Sequence, residues 1–374
     1  MIRGAARYLS RYGAEEHVLL PDPQHALPPR TLIVPIYAEA ADCLQTVLAD
    51  ISLPTCVIAV VNAPAGAPRE HLETTRRFLD RFPASQRLSW HTLQTDRCTH
   101  PLLLVNRVST PLPAKQGVGG ARRIGMDLGL ALSERRVSDA RMLHTTDADA
   151  RLPADYFQPE DTPGLLLYPF RHTSDNPQTL QRARAYEAHM RHYRQGLKRA
   201  GSPYGFTALG SCMAVCMDTY VKVRGMPRRD GGEDFHFADK AAKVAEVRTL
   251  PGPVIRLSAR ASDRVPFGTG PTLNRMGDDP GSFPTYNPAS FEGLQRVLET
   301  FARPAPLTGW EAHVGKQLGV QAAVDRIGAQ YPRAKRARAL HTWFDGLKTL
   351  RFIHLARDVH PDVPVRTVAA WRTT

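Results

Sequence analysis

The feature that most constrains the fold is an alternation of short apolar runs with amphipathic segments through the first part of the chain. The apolar runs have the length of buried strands, and the segments between them carry apolar residues at helical spacing. Strands that alternate with helices form a mostly parallel sheet covered by helices on both faces, so an α/β fold is expected. The predicted strands are 31–36, 55–61, 101–108 and 142–146, and the predicted helices between them are 38–51, 69–82 and 119–132.

The pattern changes after the fourth predicted strand. A glycine- and proline-rich linker at 274–288 separates the earlier segments from a tail at 291–371 that has helical periodicity. We therefore predict a main α/β domain at residues 1–280 and a helical C-terminal extension at residues 281–374. Before the linker, the predicted elements are a strand at 164–170, a helix at 180–198, an apolar segment at 207–217, a helix at 234–244 and a loop at 254–270.

Length and composition place the chain among globular proteins. A chain of 374 residues with 42% hydrophobic content can bury a large core. Its five cysteines lack zinc-site or disulfide spacing, so reduced thiols are expected. Cys212 and Cys216 are four residues apart and would pack on one face of a strand. We find neither a signal peptide nor an apolar stretch of about 18 residues, and a cytoplasmic location is expected.

The formal net charge of +13 predicts attraction to polyanions such as nucleoside diphosphates or anionic lipids. No nucleic-acid-binding motif accompanies the arginines, so no nucleic-acid partner is expected. The tail mixes basic residues with Trp343, Phe344, Leu347, Leu350 and Phe352. Such helices either lie on the inner face of an anionic membrane, as a peripheral contact, or pack against the rest of the protein.

The first chemical motif is HTTDADARLP, residues 144–153, in which Asp147 and Asp149 follow a predicted strand. Side chains at i and i+2 of an extended segment point to the same side, and open α/β sheets bind ligands at the carboxyl ends of their strands. Two carboxylates there would suit Mg²⁺ or Mn²⁺, shared with phosphate oxygens and water. The alternative is that these aspartates only cap a turn.

The second motif is RRDGGEDFHFADKAAK, residues 228–243, in which Glu233 and Asp234 stand at the start of a predicted helix. Glycines allow a ligand to approach the backbone closely, and a helix start holds a carboxylate rigidly. A carboxylate near an acceptor hydroxyl can accept its proton. The alternative is that Asp234 is a helix N-cap and Glu233 an exposed loop residue.

These two motifs resemble those of glycosyltransferase family 2 and related enzymes of the glycosyltransferase A (GT-A) fold. LIVPIYAEA at 32–40 is similar to the family's first strand and nucleotide-contacting loop, and GVGGARRIGMDLGLA at 117–131 to its Gly-Ala-Arg helix start. The resemblance covers residues 31–270. It implies a GT-A-type nucleotide-binding fold that moves a sugar, as hexosyltransferases do, from a nucleotide-diphosphate sugar to an acceptor hydroxyl. It also implies inversion and dependence on Mn²⁺ or Mg²⁺.

The resemblance implies a set of residues for the nucleotide sugar. Asn62 stands where the family commonly has an aspartate that contacts the base, so the identity of the base stays open. The segment 258–270 would either order over the diphosphate or form an ordinary surface loop. Pro35, Tyr37 and Glu39 would line the nucleoside pocket. One or two of Lys115, Arg122 and Arg123, beside the glycine-rich helix start, would contact the phosphates. Arg260 and Arg264 belong to the segment 258–270.

The resemblance also implies the catalytic and metal residues. Asp147 would approach the ribose and the metal, and Asp149 would coordinate the metal directly. Asp234 would be the catalytic base with Glu233 in support, and the converse assignment stays open.

Three other interpretations of the chain make different demands on its residues. A nucleotidyltransferase of the same fold should have a glycine-rich phosphate loop after its first strand, and PIYAEAADC offers none. A retaining transferase could use Asp147 and Asp149 without Asp234 as a base. A noncatalytic nucleotide-sugar-binding or scaffold protein would not need both acidic motifs. The acceptor stays open among glycans, lipid-linked molecules and small molecules.

Overall fold

The structure is a computed structural model, and it describes residues 2–83, 86–113, 115–158, 162–260 and 268–369. The chain divides into two compact units. One comprises Met1–Thr173 and Ala208–Gly268, and the other comprises Ser174–Thr207 and Thr269–Thr374. This division differs from the boundary predicted after residue 280, because the segment 174–207 belongs with the C-terminal helices.

The helices are, in chain order, α1 (Ala5–Tyr12), α2 (Cys43–Val47), α3 (Arg69–Leu79), α4 (Gly117–Glu134), α5 (Pro177–Arg199), α6 (Met217–Lys222), α7 (Glu233–Ala242), α8 (Thr269–Arg275), α9 (Pro288–Ala302), α10 (Gly309–Gln317), α11 (Val320–Gln330), α12 (Arg333–Trp343) and α13 (Gly346–Leu355). Of these, α5 and α8 to α13 belong to the second unit. Short 3-10 helices lie at Glu15–His17, Pro280–Ser282, Ala356–Asp358 and Val365–Thr367.

The first unit is built on an eight-stranded sheet with the order β10-β7-β9-β5-β1-β2-β4-β3 and a three-stranded sheet with the order β6-β11-β8. In the large sheet β3 and β9 run antiparallel to their neighbours, and the other six strands share one direction. The predicted mostly parallel α/β sheet is confirmed. The strands are β1 (Thr31–Ile36), β2 (Cys56–Asn62), β3 (Leu88–Gln94), β4 (Thr99–Arg107), β5 (Met142–Thr145), β6 (Ala150–Arg151), β7 (Leu165–Leu167), β8 (Phe170–Thr173), β9 (Met213–Cys216), β10 (Val247–Thr249) and β11 (Ile255–Ser258).

Both faces of the central strands are covered. Every residue of β1 and β2 is buried, as expected for parallel strands with helices on both sides. Leu32 and Val34 of β1 pack in one core with residues of α2 and α3, including Leu44 and Phe78. Cys212 and Cys216 also pack in or against this core, as predicted, and all five cysteines are free thiols.

On the opposite face, α4 lies unusually close to the sheet. A Cβ atom on Gly125 would come within 2.4 Å of Ile33, and one on Gly129 within 2.7 Å of Leu143. Only glycine allows this approach, because real Cβ atoms do not make contacts that short. The helix runs back along β1 and β5, so its first turn lies at the carboxyl ends of these strands.

Several elements of the first unit differ from the prediction. Strand β11 lies in the segment that was predicted as a loop at 254–270. Helix α2 begins at Cys43 rather than at residue 38, because Ala38 has a left-handed φ of 52° and donates its backbone N–H to Thr75. Strand β3 was not predicted; it pairs with β4 at the sheet edge and is only partly buried. The strand predicted at 164–170 is divided between the two sheets. The break falls at Pro169, which has no N–H for a sheet hydrogen bond.

The second unit is helical, as predicted for the tail, with one small antiparallel pair formed by β12 (Pro284–Thr285) and β13 (Val363–Pro364). Its core includes Phe344 and Phe352, while Leu347 is 45% exposed. The apolar residues of the predicted amphipathic tail are therefore divided between the core and the surface. No helix of the described segments is long and apolar enough to span a membrane.

Candidate functional site

The centre of the candidate site is Arg122, in the first turns of α4. One terminal nitrogen of its guanidinium donates to Asp147 and the other to Glu233. Arg122 and Glu233 are each only 3% exposed, whereas the Asp147 side chain is 41% exposed. The two acidic motifs, far apart in the sequence, are thus joined through one buried arginine at the carboxyl edge of the sheet.

Two glycines make room for this arginine and its helix. A Cβ on Gly210 would lie 2.3 Å from Cζ of Arg122. A Cβ on Gly119 would lie 2.5 Å from the carbonyl oxygen of Pro227, and the Gly119 N–H donates to the Arg229 carbonyl. The start of α4 is therefore held against the loop that leads into α7, which carries Glu233.

The two acids at the start of α7 have different surroundings. Gly232, with a left-handed φ of 69°, is the N-cap residue, so the alternative that Asp234 caps the helix is wrong. Oδ1 of Asp234 accepts the Phe235 N–H at 2.7 Å, and Oδ2 accepts the Gly210 N–H at 2.9 Å. Glu233 is buried, not an exposed loop residue, whereas Asp234 is partly exposed.

The charges of these groups are coupled. Burial raises the pKa of both Glu233 and Asp234, and the Arg122 guanidinium opposes that rise. Burial alone would lower the pKa of Arg122, but the surrounding carboxylates of Asp147, Glu233 and Asp234 hold it above its usual range. Arg122 therefore stays charged, and it favours the ionised forms of the acids beside it.

Asp147 and Asp149 lie in a turn between β5 and β6, not in the extended segment that was predicted. The backbone N–H of Ala150 donates to the Asp147 carbonyl, which closes the turn. Consequently the two carboxylates bind different arginines: Asp147 binds Arg122, and Asp149 lies 3.0 Å from Arg260.

Arg260 joins this turn to the loop that follows β1. The same guanidinium nitrogen that contacts Asp149 also donates to Glu39, whose side chain is 10% exposed. Glu39 and Arg260, both predicted as site residues, are thereby brought together with Asp149. The predicted site residue Arg264 lies outside the described residues.

The loop after β1 is anchored to α3. The hydroxyl of Tyr37 is 3.1 Å from Nδ1 of His71, and the two rings meet edge to face. The Thr75 hydroxyl holds the Ala38 N–H at 3.0 Å. Pro35, in contrast, is buried within β1, in the part of this strand that pairs with β2. Of the three residues predicted to line a nucleoside pocket, Pro35 is thus part of the sheet, while Tyr37 and Glu39 lie at its edge.

Asn62 ends β2, beside Arg107 at the end of β4. Arg107 forms ion pairs of 3.2 and 3.3 Å with Glu15 and Glu16 of the N-terminal segment.

Lys115 lies just before α4, and its side chain is exposed. No contact between described residues joins it to the acidic groups.

Arg123 has a different role from its neighbour Arg122. It donates to the carbonyls of Tyr12 and Met226 and to the hydroxyl of Tyr8. Tyr8 and Tyr220 in turn donate to the fully buried Asp127, both at 2.7 Å. The guanidinium of Arg123 is committed to this buried structural network, so the predicted phosphate contact by one or two of the three cations would fall to Lys115 and Arg122.

Within the described residues, no group of three or more histidine, cysteine, aspartate and glutamate side chains is arranged to hold a metal ion. His144, the histidine of the first motif, is buried beside Tyr156 and Phe157, and burial lowers its pKa to about 3. It is therefore neutral at physiological pH. The possible metal ligands near the surface in this motif are the carboxylates of Asp147 and Asp149.

Sequence reasoning missed Gly210 and the buried position of Arg122. The signal for Gly210 was a glycine just before an apolar strand, which often marks a close approach of backbone to another group. The contacts of Arg122 had no such signal, because an arginine near a helix start equally suits a phosphate ligand.

The fold and the site together define an α/β protein with linked acidic groups at the carboxyl edge of its sheet. No protein-family model and no curated protein sequence matches the chain. Among solved structures it is similar to S. aureus TarS 1–349 in complex with UDP-GlcNAc, with 14% identity and a TM-score of 0.38 over 88% of this chain and 81% of that one. A likeness at this level says nothing about the activity of this chain.

Proposed function

We propose that the protein is a glycosyltransferase that moves a sugar from a nucleotide-diphosphate sugar to an acceptor hydroxyl, with inversion and with the help of Mn²⁺ or Mg²⁺. The observation that carries the proposal is the pairing of Arg122 with both Asp147 and Glu233. It brings a donor-side carboxylate and an acceptor-side acid pair to the edge where open α/β sheets bind ligands.

Asp234 is assigned as the base, in preference to Glu233. Both carboxylate oxygens of Asp234 accept backbone N–H groups, which fix its orientation without another charged side chain. Glu233 is buried and bound to Arg122, so a substrate hydroxyl has less access to it. A positioned base contributes about 10² to 10⁴ in rate.

The proposed reaction is a single displacement. The acceptor oxygen attacks the anomeric carbon, the bond from that carbon to the diphosphate oxygen breaks, and the bonding electrons leave with the nucleoside diphosphate. The acceptor proton passes to Asp234. Glu233 stays paired with Arg122 and keeps the start of α7 in place.

The donor chemistry at the turn fits a divalent cation. Asp147 and Asp149 supply hard oxygen ligands with side chains 41% and 25% exposed, and Mg²⁺ sites often use one or two carboxylates together with substrate phosphates. A bound ion would neutralise charge that develops on the leaving diphosphate. The absence of a preformed cluster of three protein ligands in the described residues is compatible with a site that phosphate completes.

The loop with Tyr37 and Glu39 is assigned to the nucleoside. Its anchoring to His71 and Thr75 of α3 gives it a defined position at the end of β1. Asn62 ends the next strand and can both donate and accept hydrogen bonds to a base, whereas an aspartate could only accept them. The proposal therefore does not favour uridine over other bases.

The test is release of nucleoside diphosphate from a panel of nucleotide sugars in the presence of Mn²⁺ or Mg²⁺. Asp234→Asn should reduce turnover by at least about 10²-fold without changing donor affinity. Asp239→Asn is a matched control, since Asp239 is a buried carboxylate of the same helix that pairs with Lys243 at 2.8 Å. Equal turnover by Asp234→Asn and wild type would exclude Asp234 as the base, and no release from any donor would contradict the transferase proposal.

A further inference from the structure

Arg260 lies between two carboxylates to which the proposed function gives different roles. It contacts Asp149, assigned to the metal, at 3.0 Å and also binds Glu39, assigned to the nucleoside side. Its side chain remains 38% exposed, so ligands can reach it. Burial opposes the charge on Arg260, but Asp149 and Glu39 outweigh this effect and raise its pKa.

The position of Arg260 is fixed by strand pairing. In β11, Leu257 pairs with Ala150, the residue directly after Asp149. Beyond the end of β11, the N–H of Ala259 donates to the Thr173 carbonyl at 2.8 Å, which continues the pairing with β8. The backbone is therefore held up to the residue before Arg260, and the guanidinium reaches Asp149 and Glu39 from a defined base.

A divalent cation at Asp149 would compete with this guanidinium. A cation that binds alone must separate Arg260 from Asp149 and place a second positive charge beside it. A nucleoside diphosphate changes this balance, because its oxygens offer the arginine a new anionic partner with bidentate geometry. Binding of the cation and binding of the diphosphate should then favour each other, and such coupling is reciprocal.

We propose that Arg260 is an internal counter-ion of Asp149 and Glu39 in the ligand-free protein, and that it transfers to the diphosphate when donor and divalent cation bind together. Arg260 thereby makes cation binding depend on the nucleotide and keeps the carboxylates paired between reaction cycles. This inference rests on the proposed function, because it requires a diphosphate ligand at this edge of the sheet.

The experiment measures Mn²⁺ binding by electron paramagnetic resonance, with MnCl₂ alone and then with UDP, GDP, ADP or CDP added. Wild type is compared with Arg260→Gln and with the charge-conserving Arg260→Lys. Arg151→Gln is the matched control, because Arg151 on the adjoining strand forms an arginine–aspartate pair of the same kind with Asp50, at 2.9 and 3.0 Å. Thermal unfolding of each variant shows whether it is folded.

Arg260→Gln should bind Mn²⁺ without nucleotide about fivefold more tightly than wild type, because one competing charge is removed from beside Asp149. In the presence of Mn²⁺ it should bind the nucleoside diphosphate about tenfold more weakly, because a charge-assisted hydrogen bond is lost. Arg260→Lys should remain closer to wild type, and Arg151→Gln should match it.

The outcomes separate the inference from the proposed function. If wild type binds a nucleoside diphosphate with Mn²⁺, but Arg260→Gln binds Mn²⁺ no more tightly, only the counter-ion role of Arg260 is wrong. If wild type binds none of the nucleoside diphosphates, the proposed function is wrong and the inference fails with it.

Discussion

A single methyl group at Gly210 should disable the site without unfolding the protein. A Cβ there would lie 2.3 Å from Cζ of Arg122 and 2.4 Å from one of its terminal nitrogens. Ordinary contact starts at 3.4 Å, so the guanidinium would have to move by about 1 Å. The backbone N–H that binds Asp234 is retained in alanine, so Gly210→Ala changes only the space available to Arg122.

The displacement should reach both acidic motifs, since Arg122 holds Asp147 and Glu233 at once. A misplacement of about 1 Å at a reacting group costs about 10²-fold in rate. Overpacking a buried site typically costs about 1 to 3 kcal/mol of stability, which a protein of ordinary stability tolerates. We therefore expect a loss of turnover of about 10²-fold in a protein that still unfolds cooperatively.

The assay is nucleoside diphosphate release under saturating donor, combined with thermal unfolding. Gly277→Ala is the matched control, because a Cβ at Gly277 would meet no described atom within 4 Å. Wild-type turnover in folded Gly210→Ala would show that the position of Arg122 does not matter for activity. Loss of activity only in proportion to unfolded protein would have the same meaning.

Three further predictions follow from named contacts. Arg122→Gln should move the acid limb of the pH–rate profile to higher pH. The reason is that Arg122 lowers the pKa of the two acids at the start of α7, so its loss raises the pKa of each acid. An unchanged acid limb would contradict this prediction. Asp127→Ala should lower the free energy of unfolding by about 3 to 5 kcal/mol in urea titrations, because it leaves Arg123 without its buried carboxylate, and it should leave that limb in place. Lys335→Glu combined with Arg338→Glu should weaken sedimentation with phosphatidylglycerol vesicles, since both side chains are exposed on α12, which has no acidic residue; equal sedimentation would exclude this helix as a membrane contact.

The sheet was predictable from the sequence because its central strands are apolar throughout. The run TLIVPI became β1 with the predicted bounds. A strand that is buried on both faces is a continuous apolar run, so its ends can be read from the sequence. Strand β3 escaped prediction because an edge strand needs only one apolar face. The grouping of α5 with the C-terminal helices also escaped, because its partners lie far along the chain. Local periodicity does not reveal distant partners.

The site was predictable in its residue types but not in its connections. Asp147, Glu233 and Asp234 were recognised from their motifs, and the structure places them around one arginine. That Arg122 is buried and Arg123 belongs to a structural network could not be read from two adjacent arginines. Helix geometry turns neighbouring side chains in different directions, and only the packed structure decides which of them faces the acids.

The most direct test of the central claim is a calorimetric titration of nucleoside diphosphates and nucleotide sugars into the protein, with and without Mn²⁺. It is repeated on Asp149→Ala and on Asp155→Ala, which removes an exposed carboxylate of the same segment. We expect binding of one nucleotide class that depends on Mn²⁺, is lost in Asp149→Ala and is unchanged in Asp155→Ala. If wild type binds no nucleotide or nucleotide sugar, with or without Mn²⁺, the proposed transferase function is contradicted.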